Sequence, residues 1–238
     1  MNGQPYGFIV EPEFSVASVL GRTFATLLDN PLVFFGLPLL AALPELLVGF
    51  FGSAPRYGGP GLVLIISGIL GLIIQGAMAY AVYQVLRGQG ASLGESLRKG
   101  LNRVIPLIIA SILVWILIRI GYILLIIPGL ILTCILSVTI PACVVERLGP
   151  VDSMNRSAEL TKGYRLRIFA LIVIGVLAWI LFLIMPFFVS SGRPSPIVLA
   201  LLGVPVQAFQ AVMAAIIYYD LRTVKEGVSL ESLANVFD

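Results

Sequence analysis

Residues 104–146 read VIPLIIASILVWILIRIGYILLIIPGLILTCILSVTIPACVVE, with Arg119 as the one charged side chain before Glu146. A straight helix of this length would run about 64 Å at 1.5 Å per residue, about twice the roughly 30 Å hydrocarbon core of a bilayer. The chain has to turn back, and Ile127-Pro128-Gly129 offers the place. Pro128 removes a backbone donor and Gly129 tolerates the turn. The stretch therefore reads as a hairpin of two membrane spans, 104–127 and 129–146.

Working outward, the criterion of about 20 mostly apolar residues marks four more spans, at about 31–53, 61–86, 167–189 and 196–219. Between them lie shorter amphipathic segments at about 12–28, 91–101 and 150–161. In the first, Phe14, Val16, Val19, Leu20, Phe24, Leu27 and Leu28 recur at near-helical spacing. Such a helix rests in the interface with its apolar face about 5–10 Å deep. The expected fold is an all-α polytopic membrane helical bundle: one integral membrane domain over 1–238, six transmembrane helices and interfacial amphipathic helices. Pro38, Pro44, Pro128, Pro141, Pro186 and Pro205 are expected to interrupt the spans.

Composition agrees. Of 238 residues 59% are hydrophobic and 11% charged, with mean hydropathy +1.05. A soluble domain carries about 25% charged residues, so an ordinary water-soluble enzyme is excluded. Histidine is absent, which removes the commonest metal ligand and the commonest general base near neutral pH. Cys134 and Cys143 lie nine residues apart in one span. The helical rise separates them by about 13 Å, too far for a disulfide, and no CxxC suggests a thiolate metal site. No Ser-His-Asp arrangement can form, and Gly58-Gly59-Pro60-Gly61 reads as a turn rather than a phosphate loop. The expectation is a protein without enzymatic activity, cofactor or metal.

Arg22, Arg87, Arg98, Lys99, Arg103, Arg147, Arg156, Lys162, Arg165, Arg167, Arg222 and Lys225 fall on one side of the proposed spans. Only Arg56, Arg119 and Arg193 fall elsewhere. Twelve against three is a strong positive-inside bias, so both termini are expected in the cytoplasm and the outer loops are short. The first apolar run follows Glu11, Glu13 and Asp29 and exceeds a signal-peptide core, so it is read as a span. All carboxylates except Glu45 share the basic side. Its mixed sign suits anionic lipid, at about 1 kcal/mol per basic residue near the surface, and offers no aromatic-interleaved basic cluster for nucleic acid.

A self-match is the most specific feature. QGAMAYAVYQVLR at 75–87 and QAVMAAIIYYDLR at 210–222 share Gln75/Gln210, Met78/Met213, Ala79/Ala214, Tyr83/Tyr218, Leu86/Leu221 and Arg87/Arg222. It continues as Ser92–Leu97 against Ser229–Leu233, and Glu146-Arg147 ends a weaker middle copy. Each unit is an amphipathic helix followed by two spans, so the copies run parallel and pseudo-threefold packing about the membrane normal is open to them.

Glu45 and Arg119 are the ionisable residues deep in spans, fourteen and fifteen residues from the inner ends of outward-running helices. Both sit about 21–23 Å deep by the helical rise. A shared depth predicts an ion pair, either a structural staple or part of a relay. Ser67, Gly71 and Gln75 on span two, and Gly203 and Gln207 on span six, follow i,i+4 spacing, with Gln210 beside them. Such stripes serve helix–helix packing or line a polar path. Arg87, Glu146, Arg147, Arg156, Asp220 and Arg222 sit at inner helix ends and are expected to form a cytoplasmic-face network.

The stretch Gly121–Phe169 carries Pro128, Gly129, Pro141, Val144, Glu146, Gly149, Pro150, Ser153, Met154, Arg156, Ser157, Leu160, Thr161 and Gly163. It resembles a bacterial family of six-span membrane proteins, the YciC-like proteins and the membrane domains attached to some glycerophosphodiester phosphodiesterases. Tyr218-Tyr219-Asp220-Leu221-Arg222 with Lys225-Glu226-Gly227 is similar to a second hallmark of that group. The resemblance implies a multi-pass protein of the bacterial plasma membrane. The phosphodiesterase chemistry there belongs to a separate soluble barrel, so no activity carries over. Two functions follow: a structural or accessory subunit that docks on other membrane proteins, on itself or on lipid, and alternatively a small transporter or channel-like protein with a path between repeats. A lipid-acting enzyme would need a nucleophile or metal that the sequence lacks.

Overall fold

The computed structural model describes residues 14–51, 59–189 and 195–227. They form eleven helices and no strand: α1 Val16–Asp29, α2 Pro31–Ala41, α3 Leu43–Phe51, α4 Gly59–Leu86, α5 Leu93–Leu101, α6 Val104–Leu124, α7 Ile126–Ile135, α8 Thr139–Val145, α9 Pro150–Thr161, α10 Arg165–Val189 and α11 Pro196–Glu226. Five segments are long and apolar enough to cross a membrane: Ile65–Leu86, Val104–Leu124, Ile126–Val145, Arg165–Met185 and Ile197–Glu226. The number is six if α1 and α2, bent by 89°, count as one. The chain is an all-α helical bundle with the character of a multi-pass membrane protein. Arg56, Arg193, the 229–233 part of the self-match and the tips of the first span and first amphipathic segment lie outside the described residues.

The first expected span is two helices on either side of Ala42, together about 31 Å long at 1.5 Å per residue. The hairpin of spans three and four turns at Leu125, the shared cap of α6 and α7, and not at Ile127-Pro128-Gly129. Pro128 instead occupies the first turn of α7, where its missing N–H is not needed. Gly129 is helical and lets the two helices touch: a Cβ on Gly121 would meet the Gly129 Cα at 3.0 Å. α10 and α11 run unbroken through Pro186 and Pro205, so those prolines do not interrupt their spans.

Span four does break, between α7 and α8. The backbone freed there is satisfied from α9: Ser157 Oγ donates to the Ile135 carbonyl at 2.7 Å and accepts from Val138 N–H at 3.3 Å. Thr161 Oγ1 also reaches the Ile135 carbonyl, at 3.4 Å. An unpaired buried backbone group would cost about 1–3 kcal/mol, which gives these two small polar residues a structural reason.

α4, α8 and α11 pack together at the centre. Each carries the short helix that follows it around the bundle: α5 on α4, α9 on α8, and α1 on α11. The charged residues of these short helices thus gather at one end of the bundle. The core is concentrated in the same half, where Ala77, Met78, Ala81, Val82, Ala208, Val212, Ala215 and Ile216 are buried. The crossing of α5 on α4 is tight because a Cβ on Gly100 would meet the Ile73 carbonyl at 2.5 Å. The apolar residues of α1 do not share one face. Val19, Thr23, Thr26 and Leu27 are buried, while Phe24 and Leu28 point outward. Thr23 is accommodated by donating to the Val19 carbonyl at 2.7 Å.

Candidate intramembrane binding site

Toward the opposite end a cavity of about 650 Å³ lies between α2/α3, α4, α10 and α11. Glu45, Ser67, Gly71, Gln75, Gly203, Gln207 and Gln210 all line it. The two i,i+4 stripes therefore border open space. A Cβ on Gly71 would meet nothing within 4 Å, and one on Gly203 would first meet the Phe182 ring at 3.4 Å. Trp179 and Phe182 supply an aromatic wall, and Met78 forms part of the lining toward the charged end.

The polar groups of the cavity are sparsely used. Gln210 Nε2 donates to the Gly175 carbonyl at 3.3 Å. Ser67 Oγ is buried without a hydrogen-bond partner. Among the described residues Glu45 makes no hydrogen bond or ion pair, and Gln75 and Gln207 are exposed. Among the described residues the lining holds one carboxylate and no Lys or Arg.

The expected pairing of Glu45 with Arg119 is not made. α6 packs against α7, α9, α4 and α8 rather than against α3, so equal depth does not bring the two residues together. Arg119 is exposed and its guanidinium lies over the Trp115 ring, 5.2 Å from the centroid. Stacking on an indole at the bundle surface is one way to hold a cation near a membrane boundary.

Below the cavity the charged end is closed by a layer of tyrosines. Tyr83 stacks on Tyr219 with centroids 5.9 Å apart, and Tyr218 meets Tyr219 edge-on at 5.0 Å. Glu146, Arg156 and Arg222 come together there. Arg156 Nε donates to both Glu146 oxygens at 2.9 and 3.0 Å, and Tyr218 OH donates to Glu146 Oε1 at 2.7 Å. Arg222 lies 3.9 Å from Glu146 and donates to Glu226 at 2.9 Å, while Arg156 also pairs with Glu226. Burial works against the Arg156 charge, but hydrogen bonds to Glu226 and Glu146 outweigh it and raise its pKa above the usual arginine value.

Two of the other three residues expected in this network are engaged elsewhere. Asp220 pairs with Arg22 of α1. Arg87 donates to Tyr83 OH at 2.7 Å. Arg147 follows α8 with a φ of 54°, a left-handed conformation that favours glycine. The self-match has a physical counterpart: Arg87 on Tyr83 and Arg222 on Tyr218 make the same i,i+4 hydrogen bond, the latter at 3.2 Å.

A second polar hub joins α4 to α5 and was not singled out from sequence. Glu95 accepts from Tyr80 OH at 2.7 Å and from Gln84 Nε2 at 2.8 Å, while Gln84 Oε1 accepts from Ser92 N–H and Ser96 OH. Ser92-x-x-Glu95 has the spacing of a capping box, and Ser92 does cap α5, but the Glu95 carboxylate is turned to α4 instead. Tyr219 OH is the exception in the tyrosine layer, buried with no partner. An orphan hydroxyl costs about 1–3 kcal/mol, so Tyr219→Phe is expected to raise stability by about 1 kcal/mol, read as a higher midpoint of thermal unfolding in detergent.

No family model, curated protein or solved structure matches this chain.

Proposed function

We propose that this chain is a small, non-enzymatic carrier of the bacterial plasma membrane that takes up an organic cation from the side opposite its charged end. One observation carries the reading: the Glu45 carboxylate, the Gln75 and Gln207 amides and an aromatic wall converge on a cavity lined by no cation among the described residues. A protonated amine or quaternary ammonium matches that chemistry through charge attraction to Glu45 and contact with Trp179 and Phe182. The positive-inside bias of the sequence supports a cytoplasmic position for the charged end. The tyrosine layer and the Glu146 cluster then form the inner closure. Moving a ligand onward requires that closure to part, and α4, α8 and α11, as the second spans of three parallel repeats, are the elements able to rearrange.

Tetraphenylphosphonium tests the reading because its charge is permanent. The purified protein is expected to bind it and not the neutral triphenylphosphine oxide, and Glu45→Gln is expected to weaken binding by about tenfold, the loss of roughly 1.4 kcal/mol. Equal binding of cation and neutral compound, or no loss in the variant, overturns it. The accessory-subunit reading makes a different prediction: a stoichiometric protein partner that persists through purification, and no cation binding.

A further inference from the structure

The charged end has three corners where a short helix docks on a central helix, and they differ in charge balance. At the α1–α11 corner Arg22 is matched by Asp220. At the α8–α9–α11 corner Arg156 and Arg222 are matched by Glu146 and Glu226. The third corner, between α4, α5, α6 and α8, encloses a cavity of about 460 Å³ where, among the described residues, Arg87, Lys99 and Arg103 face the carboxylate of Glu95. Glu95 is already committed to Tyr80 and Gln84.

We propose that this third cavity binds a phosphate-type anion, as a phospholipid headgroup or a soluble phosphate. Arg87, Lys99 and Arg103 are half-buried in its wall and make no ion pair among the described residues. Neighbouring aromatics set two of these cations: Arg87 lies over the Tyr83 ring at 5.1 Å and Lys99 over the Tyr80 ring at 5.5 Å. Like charges gathered from different helices repel one another at close range, and an anion with several acceptor oxygens relieves that repulsion while accepting guanidinium hydrogen bonds. Arg147, left-handed at φ 54°, also borders the cavity. The exposed basic loop at 162–167 forms only a shallow depression from one chain segment, where solvent screens the charges. The proposal uses neither the intramembrane cavity nor the carrier reading.

The test uses the full chain, delipidated in neutral detergent, in two arms. Native mass spectrometry follows retention of added phosphatidylglycerol against phosphatidylcholine, and thermal unfolding follows sodium phosphate against sodium chloride at matched ionic strength. Selective retention of phosphatidylglycerol identifies a lipid headgroup, and a shift with phosphate identifies a soluble source; either supports the site. Lys99→Gln with Arg103→Gln is expected to weaken binding about thirtyfold, at about 1 kcal/mol per basic residue. The loop control, Lys162→Gln with Arg165→Gln, changes it less than about threefold. Arg103→Lys, which keeps the charge, stays within about threefold of the parent and serves if the double variant does not fold. Absence of binding in both arms, equal losses in the two double variants, or loss of binding in folded Arg103→Lys as large as that expected of the double variant overturns the proposal.

Discussion

Gly71→Phe abolishes cation binding, by about a hundredfold or more, while stability stays within about 1 kcal/mol of the parent. The argument is steric. Gly71 sits between Ser67 and Gln75 on one face of α4, and a Cβ there meets nothing within 4 Å. A phenyl ring built from that position enters the cavity rather than the core. Replacing glycine inside a helix also recovers about 0.5 kcal/mol of backbone propensity, which offsets small losses at the ring's edges. A hundredfold loss corresponds to about 2.7 kcal/mol of binding, reasonable for a ligand displaced from its shape-matched wall. Equilibrium binding of tetraphenylphosphonium, with thermal unfolding of the same sample, separates occlusion from misfolding. Unchanged binding in a folded variant would mean that the ligand sits elsewhere.

Glu146→Ala produces the largest loss of stability, about 3 kcal/mol. Glu146 is the one carboxylate that Arg156, Arg222 and Tyr218 share, and its side chain is 15% exposed. Removing one partner of a largely buried pair costs about 3–5 kcal/mol, because the remaining charge is left unmatched. Glu226 still faces both arginines, which keeps the expected value at the lower end. Glu146→Gln retains the acceptor and the shape and loses about half as much. Thermal or denaturant unfolding in detergent reads the difference. A loss below about 0.5 kcal/mol for the alanine variant would place the cluster with ordinary surface pairs.

The apolar runs made the helices legible, since a chain with 11% charge has little freedom except to place helices in lipid. The cavity was half legible. Ser67, Gly71 and Gln75 announced a face by their spacing, but spacing alone does not tell whether that face meets a helix or a void; in the structure it borders the cavity. Glu45 and Arg119 illustrate the opposite limit. Depth follows from counting residues, whereas angular position around the bundle depends on which helices pack, and α6 packs away from α3. The hairpin turn moved to Leu125 because proline is welcome in the first turn of a helix, so Pro128 marks a start rather than a gap. Gln84 and Glu95 were hidden because a polar pair at a helix crossing has no local signature beyond the Ser92-x-x-Glu95 spacing, which points to capping instead.

A carrier of this kind has a polar cavity reached from one side and closed at the charged end. With Cys134→Ala and Cys143→Ala as background, single cysteines by Gln75→Cys and Gln207→Cys can be treated with a membrane-impermeant maleimide from either side of sealed vesicles. Both positions are expected to react from the side opposite the charged end and to stay unmodified from the charged side. Failure of both to react from either side, or reaction from the charged side, would contradict the account.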